Sequence, residues 1–207
     1  MKANCIFAVL FMVLSGAGCR HSTSEKSGKT IVAGDTAIST EKKKNAATQW
    51  IPNAKSSSVR FTIKNFGTDV HGTLEGLKAM IYFDEKDLEH SSFEGSVKVN
   101  TINTGINRRD KDLMQDKYLA ENTNPDIIFR SGKILKSGNG YIAKGTLTIK
   151  GRQQPQEWPF TFERAGKGGI FRSAFALNRM AFGIGGNGPV MGKQIQVNLE
   201  VPVSKAD

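Results

Sequence analysis

Residues 139–155 read NGYIAKGTLTIKGRQQP, and the reading of this stretch decides the fold. Tyr141, Ala143, Gly145, Leu147 and Ile149 share one face. Ile142, Lys144, Thr146, Thr148 and Lys150 share the other. Successive side chains of a strand point to opposite sides of its sheet, so alternation of this length predicts a half-buried antiparallel strand. The KSGNG sequence at 136–140 supplies a tight hairpin turn just before it.

The same period recurs on both sides. Val59, Phe61 and Ile63 alternate with Arg60, Thr62 and Lys64. The segment 71–83 is extended but irregular, and Gly72 and Gly76 predict bends or bulges within it. A polar turn at 84–87 leads to Phe93–Thr101, with Val97 and Val99 on one face, and Ile127 and Phe129 mark the next strand. Trp158, Phe160 and Phe162 form another, followed after a glycine-rich turn by Phe171, Ser173, Phe175 and Leu177. The clearest is the last, with Ile195, Val197, Leu199, Val201 and Val203 on one face. Only 107–120 departs from this period. Leu113 and Lys117, or Met114 and Tyr118, stand one helical turn apart, which predicts a short helix within Arg109–Leu119. About eight short strands with turn signals and one short helical segment predict a mainly β, antiparallel barrel or sandwich. A barrel leaves no unpaired edge.

The N-terminus reads as processing sequence. Lys2, the apolar run Ile6–Leu14 and the small residues 15–18 have the layout of a signal peptide over 1–18, expected to export the chain. Cys19 directly after them resembles a lipobox cysteine, although Gly16 stands where a Leu is usual; cleavage near Ala17 or Gly18 without lipidation is the alternative. Lipidation at Cys19 predicts a periplasmic or cell-envelope protein held to a membrane by an N-terminal lipid anchor. Residues 19–47 are rich in Ser, Thr, Lys, Ala and Gly and contain no aromatic residue, which predicts a tether; the barrel domain is assigned to 48–207. The other cysteine, Cys5, lies in the signal, so no disulfide is expected in the domain. The net charge of +10 would suit anionic partners. For an exported chain without a Lys/Arg block interleaved with aromatics, no nucleic-acid partner is expected.

Catalytic and metal-binding signatures are not evident. His21, His71 and His90 have no second ligand at metal spacing. No Gly-x-Ser-x-Gly elbow is present, and the acids at 110, 112 and 116 are interleaved with bases as on an exposed helix. The chain therefore reads as a non-enzyme without a cofactor or metal. The glycines at 183–188 lack the following helix that a dinucleotide loop needs, and are expected to form a loop at a barrel mouth. The candidate site is the inward face: Phe61, Ile63, Val97, Val99, Phe129, Tyr141, Ala143, Gly145, Leu147, Ile149, Phe160, Phe162, Phe175, Val197 and Leu199. Small residues such as Ala143 and Gly145 among large ones fit an apolar tunnel. Alternation alone fits a filled core equally well.

Six motifs in order, from about Trp50 to Val203, resemble the YceI-like family. Ser58–Gly67 is similar to its Val-x-Phe-x-Ile-Lys-His-Leu-Gly opening, with Asn65 in place of the His, and Val70-His71-Gly72 follows. Thr104-Gly105 with Arg109–Leu113 resembles a Thr-Gly…Arg-Asp-x-His-Leu segment without its His. Pro125–Ser131, the stretch ending at Pro155, and Asn178–Ile184 with Ala181 replacing an Asp complete the set. The resemblance implies an eight-stranded lipocalin-like barrel that binds or carries a long isoprenoid or other amphiphilic lipid in its lumen. The rival reading is a filled barrel serving as an interaction module of the cell envelope. An isoprenoid phosphate would need a cation at the mouth, since a phosphate cannot lie unpaired in an apolar tunnel. Arg179 is the first candidate and Arg108 and Arg109 the second; a structural bond from Arg179 to a carboxylate or to loop carbonyls is the alternative.

Overall fold

The alternating segments form ten strands that wind into one closed antiparallel barrel. The computed structural model describes residues 47–206; the signal peptide, Cys19 and nearly all of the tether lie outside the described residues. The strands are β1 (Gln49–Pro52), β2 (Ser58–Asn65), β3 (Thr68–Leu74), β4 (Lys78–Tyr82), β5 (Ser92–Lys98), β6 (Asp126–Ser137), β7 (Gly140–Ile149), β8 (Arg152–Ala165), β9 (Gly168–Asn178) and β10 (Met191–Lys205). Helix α1 (Asn107–Met114) lies between β5 and β6. Short 3-10 turns cover Val99–Thr101 and Arg179–Phe182.

Ten strands make eight ribbons. β10 pairs along one edge with β9 from Gln194 to Ser204. Along its other edge it meets β2 first and then β1. β1 and β2 are thus one wall strand broken at 53–57. β3 returns along β2 and β4 returns along β1, a second wall strand broken at 75–77. Gly76, at φ +68, makes that second break. Antiparallel pairings between consecutive strands from β4 through β10 complete the circuit. On its other side β3 forms no ladder, and an isolated bridge joins Thr73 to Asn103, which exchange backbone hydrogen bonds of 2.8 and 3.0 Å.

Three expectations change. Gly72 is not a bend; it lies within β3, and a Cβ there would stand 2.6 Å from Phe61 Cε1, so the bare backbone accommodates the Phe61 ring. The helix is Asn107–Met114 rather than Arg109–Leu119. Beyond Gln115 the backbone turns, with Ala120 N–H donating to Gln115 O and Ala120 at φ +52. Tyr118 and Leu119 pack against the core from that turn rather than from a helical face. β1 forms at Gln49–Pro52, where the sequence marked only the start of the domain.

One end of the barrel is filled by aromatic side chains. Phe83 is the hub, with ring centroids of Tyr141, Phe171, Phe160 and Phe162 at 5.0, 5.4, 5.5 and 5.5 Å, all edge-on. Edge-to-face geometry suits the ring quadrupoles. Trp50 meets Phe162 at 4.9 Å and donates its indole N–H to Phe83 O at 2.9 Å. The backbone N–H of Phe83 donates to Thr48 O, so β1 is tied to the hub twice. We expect Phe83→Ala to cost about 3–5 kcal/mol, the range for deleting a buried aromatic. Chemical denaturation measures it, and a loss below about 1 kcal/mol would remove Phe83 from this central role.

Candidate functional site: an apolar lumen with one mouth

The interior is packed with rings at one end and holds a cavity toward the other. Beyond the aromatic plug lies a cavity of about 280 Å³, reached by side chains from every ribbon. This is near the lower bound of small-molecule pockets, roughly 300 Å³. Its walls are almost wholly apolar. Val59, Phe61 and Ile63 of β2 face Phe129, Leu147 and Ile149 of β6 and β7, and Ile195, Val197 and Leu199 of β10 lie between β2 and β9.

An aromatic stack forms part of the wall. Trp158 lies between Phe129, at 3.7 Å and 15° between planes, and Phe175, at 4.3 Å and 16°. Phe129 is on β6 and Trp158 on β8, so the two rings meet across β7. They can do so because β7 carries Ala143 and Gly145 there. A Cβ on Gly145 would stand 2.8 Å from Phe129 Cζ and would also strike the Arg130 carbonyl. The strand pairing shifts between Ser131 and Lys133, bringing β6 backbone close at this point. Gly145 therefore does not widen the lumen: the space its missing side chain leaves is occupied by the Phe129 ring and by the neighbouring backbone. The indole N–H of Trp158 is buried without a hydrogen-bond partner.

The other expected lumen residues divide by level. Phe61, Ile63, Val97, Phe129, Ala143, Leu147, Ile149, Phe160, Phe175, Val197 and Leu199 line the cavity. Tyr141 and Phe162 face inward but belong to the plug, and the Tyr141 hydroxyl donates to Glu85 Oε1 at 2.9 Å. Val99 is buried in the 3-10 turn after β5 and lies off the cavity wall. Trp158 was missed as a site residue although it shares a face with Phe160. Ile102, Leu113, Tyr118, Leu119 and Ile184 were also missed. They come from connections whose inward side no strand period can assign.

Those connections build the mouth. The glycine-rich loop is joined to the turn after α1 by Gly185 N–H to Lys117 O at 2.8 Å, and to the β2–β3 tip by Phe66 N–H to Val190 O at 2.8 Å. Arg179 holds this loop from inside. It is fully buried. Its guanidinium donates to Gly192 O and Met191 O at 2.8 and 3.0 Å, and to Ile184 O and Gly186 O. Arg179 is therefore not the headgroup cation; its donors are turned onto loop carbonyls. Arg108 is exposed and absent from the cavity wall. Arg109 is on that wall. It donates through Nε to Thr104 Oγ1 and through a terminal nitrogen to Thr104 O, both at 2.8 Å. Asp110, buried, accepts from the Thr104 N–H and hydroxyl. Thr104 thus fixes Arg109 in place, and among the described residues no ion pair neutralises that guanidinium.

A closed antiparallel barrel with an apolar lumen, plugged at one end, defines the lipocalin-like class. The YceI-like domain model matches residues 50–203, and the chain belongs to that family. Among curated relatives, an UPF0312 protein of Serratia proteamaculans is 29% identical over 98 residues, 47% of this chain and 51% of that one. A Yersinia enterocolitica UPF0312 protein is 27% identical over 123 residues, 58% and 64% respectively. The matched stretch spans about half to two thirds of these relatives. Among solved structures, Burkholderia cenocepacia BcnA superposes with a TM-score of 0.71 at 21% identity, over 73% of this chain and 99% of that one. A polyisoprenoid binding domain from Saccharophagus degradans, implicated in plant cell wall breakdown, superposes at 0.61 with 11% identity, over 77% and 99%. Identities this low speak to the fold alone.

Because four carbonyls depend on Arg179, we expect Arg179→Gln to destabilise the barrel by at least about 3 kcal/mol, hydrogen bonds to charged groups contributing roughly 1.5–3 kcal/mol each. Amides of the 183–191 loop should exchange faster in the variant. Unchanged melting with unchanged loop exchange would show that the carbonyls do not rely on it.

Proposed function

We propose that this protein binds the apolar tail of a long-chain isoprenoid or another amphiphilic lipid in its lumen, with the polar end at the mouth, and that it acts as a binder or carrier rather than an enzyme. The observation that carries the reading is the division of the barrel interior. A fully filled barrel would be a structural module, whereas this one keeps an apolar cavity on the mouth side of its plug. The physical driving force is ample. Each buried methylene contributes roughly 0.8 kcal/mol, so about ten of them offset the entropic cost of association without any specific polar contact. The plug makes the lumen one-ended, so a tail enters end-first and its length is measured against the aromatic floor.

Arg109 is the headgroup candidate that this geometry favours. It stands on the lumen wall, its orientation is fixed by Thr104, and its planar fork of donors suits a phosphate. Arg108, exposed on the same helix, could reach only a group that projects past the mouth.

The two tryptophans supply the test, since Trp50 lies in the plug and Trp158 on the lumen wall. Titration with a prenyl phosphate and with the corresponding prenyl alcohol should change the emission in a saturable way. The change should persist in Trp50→Phe and vanish in Trp158→Phe. Arg109→Gln should weaken the phosphate ligand more than the alcohol. No saturable change, or one that follows Trp50, would reject lumen binding; equal weakening of both ligands would reject the headgroup role alone.

We also propose that Cys19 carries a lipid anchor and that the protein is exported to the cell envelope. The support is the apolar run Ile6–Leu14 followed by small residues and Cys19. Cys19→Ala should move the protein from the membrane to the soluble fraction, and intact wild type should carry an acyl mass. Membrane retention by the variant together with an acyl-free wild type would reject the anchor.

A further inference from the structure

The β2–β3 turn presents a large apolar residue where local chemistry would choose a small polar one. Asn65 pairs with Thr68 across a two-residue loop of Phe66 and Gly67, and both loop residues have positive φ, +51 and +76. Two-residue hairpins of this kind favour Asn or Gly at the first position, because a Cβ there is strained. Phe66 carries that strain and is also 79% exposed. Within the described chain it gains no burial in return. A residue that conflicts with its local backbone and with its solvent exposure is expected at a functional or strained site.

Its surroundings indicate what it meets. Val190, joined to it through the Phe66 N–H, is 38% exposed, and Ile106, which precedes α1 at the same end of the barrel, is 52% exposed. All three belong to the loops that frame the lumen mouth. Exposed cations lie among them: Arg108 and Lys111 on α1, Lys117 in the following turn and Lys193 at the start of β10. Asp112 and Asp116 are the exposed acids of the same helix and turn.

We propose that the mouth rim docks on the surface of a lipid bilayer containing anionic lipids, with Phe66 and Val190 entering the boundary between headgroups and chains. Apolar tips flanked by cations suit that boundary: the side chains enter and the charges remain at headgroup level. Docking there would place the opening of an apolar lumen against an apolar phase, so a tail could pass between them with little exposure to water. The biological sense of this rests on the lumen reading above, but contact with vesicles is measured without any lumen ligand, so either can fail while the other stands.

The test uses the full chain with Cys5→Ser and Cys19→Ser, which removes the only two cysteines and any acyl anchor. An environment-sensitive bimane is attached at Phe66→Cys, or at Asn139→Cys in the hairpin turn at the opposite end. Phosphatidylcholine vesicles are added with and without phosphatidylglycerol. A blue shift at 66, absent at 139, strengthened by phosphatidylglycerol and weakened by salt, is the expected result. In unlabelled protein, Phe66→Asn should weaken vesicle binding by at least roughly tenfold, the lower end of what withdrawing one aromatic side chain from an apolar environment costs. It should melt no lower than its parent, since Asn-Gly fits this turn better. The proposal is overturned by no shift at 66, by equal shifts at both sites, or by a shift at 66 that rises with protein concentration without vesicles, which would assign the rim to a second copy. Earlier melting of Phe66→Asn with unchanged vesicle binding overturns it as well, by making Phe66 structural.

Discussion

Closing an antiparallel sheet forces every inward side chain into one interior, and the rest of this molecule follows from how that interior is divided. Rings cluster where β1, β4, β8 and β9 meet, with Phe83 making edge-on contacts to its neighbours. Large rigid rings can fill the whole cross-section of the barrel at that level. Toward the other end the inward residues are mostly aliphatic. There Phe129, Trp158 and Phe175 stack nearly parallel, face to face with one another. The lumen therefore begins where clustered rings give way to aliphatic side chains, and plug and lumen are two levels of one interior.

That distinction marks how far the sequence could be read. The period of two placed most strands correctly and sorted inward from outward faces, because a closed sheet leaves alternation little freedom. It could not place residues along the barrel axis. Tyr141 and Leu147 share a face of β7 but lie in plug and lumen respectively, and nothing in the alternation separates them. Glycine was misread for a related reason. Gly72 and Gly145 suggested a bend and a void, yet each accommodates an aromatic ring contributed by another strand. Which ring approaches which backbone is a property of register, which sequence period leaves open.

The mouth was legible in outline only. Its glycine-rich loop was expected at a barrel end, but the means of holding it was not. Arg179 carries a full charge into the interior and meets only carbonyl oxygens, so its role is set by backbone that follows it in the chain. A sequence motif displays an arginine without displaying the direction of its fork. Arg109 is the converse case: its surroundings on α1 resemble an exposed charged face, yet Thr104 draws it onto the lumen wall. Charge pattern predicts exposure well on a regular surface helix and poorly where a helix borders an opening.

The position of β10 bears on the order in which the structure can form. It is the C-terminal strand of the barrel, yet it lies beside β9 on one edge and beside β2 and β1, the first two strands, on the other. During synthesis the N-terminal strands emerge long before their partner exists. Hairpins such as β6–β7 and β7–β8 can pair as they appear, but the circuit has no means of closing until its final segment has been made. Loop closure over nearly the whole domain comes last, which places this fold among the slower-forming topologies. A chain that still lacks β10 is therefore an open sheet. The lumen, with everything that depends on having an inside, arises only once β10 has joined both of its neighbours.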